Sequence, residues 1–165
     1  MAIKLHSGDI ELALAYRYKW RQNLIVPNVY YGLGFRYELD LMIVTPAGWA
    51  TEIEIKTSSS DLKADKKKTH DHRSNRIKYL YFAVPENLQD KALELIPERA
   101  GLFIIRPDLQ LLNYRKTEIV KSPITNKSAR KITTAERQKL NELATMRIWS
   151  LKKRMYELQR ELYGK

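Results

Sequence analysis

The feature that most limits how this chain can fold is one turn with the two alternating segments around it. Along 35–44, Phe35, Tyr37, Leu39, Leu41 and Ile43 fall on one face, and Arg36, Glu38, Asp40, Met42 and Val44 on the other. Along 49–56, Thr51, Ile53 and Ile55 stand opposite Glu52, Glu54 and Lys56. Thr45-Pro46-Ala47-Gly48-Trp49 joins the two and suits a three-residue hairpin loop. Pro favours the first turn position, and Gly takes the left-handed residue of the bulge. With Thr45 and Trp49 flanking that loop, Met42 faces Glu52, Asp40 faces Glu54 and Glu38 faces Lys56. A slip by one residue would turn Asp40 against an apolar residue, and the alternation on both strands opposes it.

Facing residues on paired strands have Cβ atoms about 4.5–5.5 Å apart. Asp40 and Glu54 therefore converge, with Lys56 one step along the same strand. Two adjacent carboxylates repel unless a cation, a proton or a base stands between them. From these residues alone the face reads either as solvated cross-strand ion pairs or as a divalent-cation site with oxygen ligands.

The charge distribution sharpens that choice. The 165 residues carry 30 Lys and Arg against 19 Asp and Glu, a formal charge of +11. Residues 1–55 hold five bases and six acids, so the excess lies wholly in residues 56–165. A basic chain implies a polyanionic partner, and carboxylates kept in such a chain need a reason. Cysteine is absent, which excludes a disulfide framework, a thiolate zinc site and a cysteine nucleophile. No apolar run reaches the ~18 residues of a membrane span, and Met1–Gly8 lacks the apolar core of a signal peptide. The expectation is a soluble cytoplasmic protein with no membrane partner.

Outside the hairpin, the patterning predicts a helix over Asp9–Arg21, a strand over Leu24–Tyr31 and a Ser-capped helix from Ser58 to about Asp71. A buried strand over Ile77–Val84 and a short helix over Glu86–Leu95 follow. Next come strands over Gly101–Ile105 and Leu109–Tyr114, paired through Pro107-Asp108. Arg115–Lys131 reads as a basic connector, and Thr133 or Thr134 caps a long last helix with Glu136 in its first turn. The fold class is mixed α/β with a helical tail. The organisation is a core over 1–115, a connector over 116–132 and an amphipathic helix over 133–165.

Asp40 followed by Glu54-Ile55-Lys56, in an α-β-β-β-α-β order, resembles the core of the PD-(D/E)XK nuclease superfamily. Three longer blocks resemble its MmcB-like group of DNA-repair nucleases and related phage or mobile-element proteins. They are Ile53–Lys67, Tyr79–Pro85 and Leu95–Leu102. The resemblance covers residues 7–115 and implies a restriction-endonuclease-like αβββαβ sheet core flanked by helices. It further implies an Mg²⁺-dependent DNA endonuclease, with Mn²⁺ as substitute, in DNA repair, recombination or mobile-element processes. Asp40, Glu54 and the Ile55 carbonyl would bind the metal, with Glu11 of the first helix beside them; Glu11 reads equally as an acid favoured at a helix start by the dipole. Lys56 would act as base or electrostatic aid, completing a catalytic set of Asp40, Glu54 and Lys56. Phosphodiester cleavage suits such a set, because a bound divalent cation lowers the pKa of its water and offsets charge on the phosphate. The alternative is a catalytically silent basic nucleic-acid-binding domain on the same fold. A structural assembly protein using the last helix is a third class.

Residues 56–78 hold eight bases against three acids and follow the acidic hairpin directly. Lys63, Lys66, Lys67, Lys68, His70, Arg73 and Arg76 are the expected DNA-binding residues; a solvated helix face reads the same run blandly. His70 and His72 are two apart and share no helix face, so a histidine metal site is not expected. In the tail, Ala144, Ile148, Leu151, Met155, Leu158 and Leu162 repeat at heptad spacing. Packing onto its own domain is the first reading of that stripe, because Trp149 and Tyr156 widen it. A homodimer seam is the second.

Overall fold

A computed structural model describes residues 4–30, 33–66, 74–107 and 115–164. Its elements are α1 (Ser7–Arg17), β1 (Leu24–Val29), β2 (Leu39–Val44), β3 (Ala50–Ile55), α2 (Ser59–Lys66), β4 (Ile77–Pro85), α3 (Gln89–Leu95), β5 (Gly101–Pro107), β6 (Arg115–Lys121) and α4 (Thr134–Tyr163). The strands form one mixed sheet in sequence order. β1–β2–β3 run antiparallel, β3–β4–β5 run parallel, and β6 returns antiparallel on β5. Parallel neighbours need crossover connections, and α2 and α3 lie within the two that are required.

Helices cover both faces. On one, Ile10, Ala13 and Leu14 of α1 pack against Leu41, Ile43, Ile53 and Phe103. On the other, Leu62 of α2 and Ala92 of α3 meet Leu80, Phe82 and Leu102. Leu140 of α4 closes a third cluster with Met42, Val44 and Ala50. The central strands are therefore buried on both sides, as a parallel sheet requires.

The hairpin register is the one the turn chemistry predicts, with Leu41 opposite Ile53 and Met42 opposite Glu52. Gly48 takes φ +88°, the left-handed conformation the loop demands. Four expectations change. α1 stops at Arg17 rather than Arg21, because Lys19 takes φ +51° and Asn23 Nδ2 bonds the Tyr18 carbonyl. β2 starts at Leu39, so Glu38 is exposed outside the strand and does not face Lys56 from a rung. The strand paired with β5 is Arg115–Lys121, within the stretch read as a connector; the expected strand over 109–114 lies outside the described residues. An edge strand has one hydrogen-bonding neighbour and tolerates charge, and Arg106 pairs with Glu118 across this edge.

The fourth change concerns α4. Thr133 and Glu136 form its capping box, and Glu136 also binds Arg76 and Arg130. Leu140 is buried and Leu143 and Ala144 are half-buried, but every residue from Ile148 to Gly164 is exposed. The stripe packs on its own domain only in its first turns, and beyond Arg147, which donates to the Asn28 carbonyl, the helix runs past the sheet. No helix among the described residues is long and apolar enough to cross a membrane.

Candidate active site

β2 and β3 part at the end of their ladder, where Asp40 and Glu54 stand. The paired rungs run from Val44 and Ala50 to Leu41 and Ile53. Beyond them the Asp40 carboxylate takes over, accepting from the Ile55 N–H at 2.7 Å. Lys56 stays in the sheet through its own N–H, which donates to the Ala83 carbonyl at 3.1 Å. The alternation thus carries Glu54 and Lys56 to one side of β3, toward Asp40.

The Lys56 ammonium lies among three carboxylates. It is 2.7 Å from Glu54 Oε2, 3.3 Å from Asp65 Oδ1 and 3.5 Å from Asp40 Oδ2. The Glu54 and Asp65 side chains are 1% and 5% exposed, whereas Asp40 is 33% exposed and opens the cluster to solvent. Burial pushes the Glu54 carboxyl up to about 7, with the Asp40 charge adding and Lys56 opposing. Burial alone would lower Lys56, but Glu54, Asp40 and Asp65 together outweigh it and hold the ammonium above its ordinary value. A lysine so held is a fixed cation rather than a base near neutral pH.

Asp65 is the residue that sequence reasoning missed. It lies three residues after Leu62, the buried apolar side chain of α2, and three residues apart is one helix face. That spacing was the available signal. Glu52 is a further buried acid on β3, and Tyr37 donates to it at 3.0 Å. Glu11 lies within electrostatic reach of Asp40; burial and that charge raise its carboxyl above the ordinary value. Among the described residues no three acidic, histidine or cysteine side chains form a metal-binding group by themselves. Asp40 and Glu54 bring carboxylate oxygens together at this point. That donor set suits a hard cation which keeps several waters.

The expected DNA-binding residues divide three ways. Lys63 is exposed on α2, and Lys66 ends that helix. Lys67, Lys68, His70 and Arg73 lie outside the described residues. Arg76 is tied to Glu136 at 2.7 Å at the foot of α4, a structural link between β4 and the last helix. Ser58 Oγ accepts from the Asp61 N–H and so caps α2, as expected. A cavity of about 460 Å³, lined by Arg99, Asn126 and Ser128 among others, opens at the other end of β4 and β5.

No curated protein matches the chain. A solved structure similar to it is the SPO1766 protein of unknown function from Silicibacter pomeroyi. The likeness has 22% identity and a TM-score of 0.59 over 96% of this chain and 92% of that one, and it speaks to the fold alone. The family described as DNA repair protein MmcB-like matches residues 21–155, a span that holds Asp40, Glu54, Lys56 and Asp65. The chain belongs to the MmcB-like DNA repair protein family.

Proposed function

We propose that this member of the family is a metal-dependent deoxyribonuclease of the PD-(D/E)XK type. The observation that carries the reading is the convergence of Asp40, Glu54 and Lys56 where β2 and β3 part. Glu54 is buried beside another acid, and its pKa near 7 marks a carboxylate in want of more positive charge than Lys56 supplies. Asp40, Glu54 and the Ile55 carbonyl would hold Mg²⁺, or Mn²⁺ in its place. When bound, such an ion lowers the pKa of a water and offsets charge on the phosphate.

The chain's own residues do the rest. Asp40 pins the fork through the Ile55 N–H, so the donors are preset rather than gathered on binding. Lys56, kept charged, is placed to stabilise a phosphate oxygen. Asp65 supplies a second anchor for Lys56, so the ammonium keeps a counter-ion when a metal takes Glu54. Lys63 and the basic run beyond α2 give affinity for the phosphate backbone without sequence choice.

A specific observation favours a second reading, a silent DNA-binding domain. The Lys56 ammonium already occupies Glu54 at 2.7 Å, so the cluster is partly neutralised from within. Cleavage of single-stranded, duplex and branched DNA with Mg²⁺ or Mn²⁺ separates the two. Asp40→Asn and Glu54→Gln are expected to abolish cleavage and leave DNA binding within about twofold. A wild-type protein that binds DNA tightly and cuts none of the three substrates refutes the nuclease reading.

A further inference from the structure

The last half of α4 carries the largest run of exposed apolar side chains among the described residues. Ile148, Leu151, Met155, Leu158 and Leu162 are between 44% and 76% exposed. Monomers rarely leave so continuous a stripe uncovered. Its spacing is that of a two-helix seam: Ile148, Met155 and Leu162 take one core position of the heptad, Ala144, Leu151 and Leu158 the other. The stripe also continues the domain's own core, because Ala144 and Leu143 are half-buried against the cluster that holds Leu140.

We infer that the occupant of this stripe is α4 of a second copy of the chain, running antiparallel. The flanking charges decide the direction. In a parallel pair Arg147 meets Lys152 of the partner subunit twice, and no opposite charges meet. In an antiparallel pair Ile148 packs on the partner's Leu158, Leu151 on the partner's Met155, and Ala144 on the partner's Leu162. Arg147 then meets the partner's Glu161 at both ends. Lys152 and Arg154 each face their own copy near the centre, so like charges are matched in number by opposite ones. Arg147 is also held in place, since it donates to the Asn28 carbonyl at 3.0 Å. The partner's Leu162 would arrive at the foot of the domain and extend its core. The inference is independent of the nuclease reading.

Light scattering of the full chain is expected to give twice 19.4 kDa at tens of micromolar. Leu151→Glu should weaken association more than about tenfold while circular dichroism reports an intact domain. The direction is read by disulfide trapping, which the absence of native cysteine makes clean. Leu151→Cys and Met155→Cys should each fail to cross-link alone and cross-link when mixed, because only the mixed pair shares a layer. A monomeric mass at all concentrations overturns the inference. So does a disulfide within either variant alone, which marks a parallel pair. A monomer whose α4 binds anionic phospholipid vesicles or duplex DNA instead overturns it in favour of that surface.

Discussion

Replacing Lys56 by Met tests the electrostatics of the cluster with little change in side-chain volume. The substitution removes the cation that lies 2.7–3.5 Å from three carboxylates, two of them almost fully buried. Removing one member of a buried ion pair costs about 3–5 kcal/mol, because the remaining charge keeps its desolvation penalty. For a domain of this size about 1 kcal/mol corresponds to about 2–4 °C, so the melting point should fall by roughly 10 °C near pH 8. The pH dependence follows from Glu54. Its folded pKa, about 7, lies above the ordinary 4.5, so folding favours the protonated acid. That contribution is largest at low pH and is lost as pH rises from about 4.5 through the folded value. Without Lys56, which lowers Glu54, the folded value moves higher still and the loss reaches further into the alkaline range. The deficit of Lys56→Met should therefore be smaller near pH 5, where buried Asp65 has still lost its partner, and should grow as pH rises above about 7. Millimolar Mg²⁺ should recover part of it at pH 8. Thermal unfolding of both proteins across that range is the assay. An equal deficit at pH 5 and pH 8 would mean lost packing rather than unpaired charge, and would refute the reasoning.

Asp65→Asn leaves Lys56 to Glu54 and Asp40 alone, so the proposed Mg²⁺ would have to compete with it. Titration calorimetry should show severalfold weaker Mg²⁺ binding, with Asp65→Glu closer to wild type; equal affinities would remove Asp65 from the site. Glu136→Gln takes away the carboxylate that Arg76 and Arg130 share. Their hydrogen bonds hold Glu136 well below the ordinary carboxylate range, so its contribution is present above about pH 4.5 and lost on acidification. The variant should lose about 1–2 kcal/mol at neutral pH after solvent screening of the partly exposed Arg130, and lose less in acid, as read by urea titration. Gly101→Ala would set a Cβ 2.6 Å from the Tyr81 ring and 2.9 Å from the Lys121 carbonyl. It should cost about 1–3 kcal/mol in the same titration, since the backbone of β6 must shift.

Legibility in the sequence followed the strength of the local rule. The hairpin was readable because Pro46 and Gly48 specify its loop and because a slip would expose one whole apolar face. Asp40, Glu54 and Lys56 followed from that register. β6 was not readable, since Arg115–Lys121 is charged and pairs along one edge only, where hydrophobicity is not required. The end of α1 depended on a left-handed Lys19, which no propensity announces. Asp65 needed the helix phase, and only Leu62 among its neighbours marks the inward side. The heptads of α4 were legible as a pattern, but the same stripe serves packing on a domain or on a partner. The length of the helix relative to the sheet decides, and that is a tertiary property.

The composition of the site also bears on which cation it would take. Asp40, Glu54 and Asp65 around Lys56 sum to −2 when all are ionised. A monovalent ion would leave a net negative charge on the cluster, and burial already raises the Glu54 carboxyl. A proton on Glu54 relieves it only in part and removes a donor. A divalent ion would offset more of that charge than a monovalent one and would leave Asp40 and Glu54 ionised as donors. Asp40, the most exposed of the three, gives such an ion a way in from solvent. Meanwhile Lys56, with Asp65 behind it, can stay charged beside the ion instead of being expelled. On the proposed nuclease reading, the charge of this cluster is the ground for expecting a divalent rather than a monovalent ion.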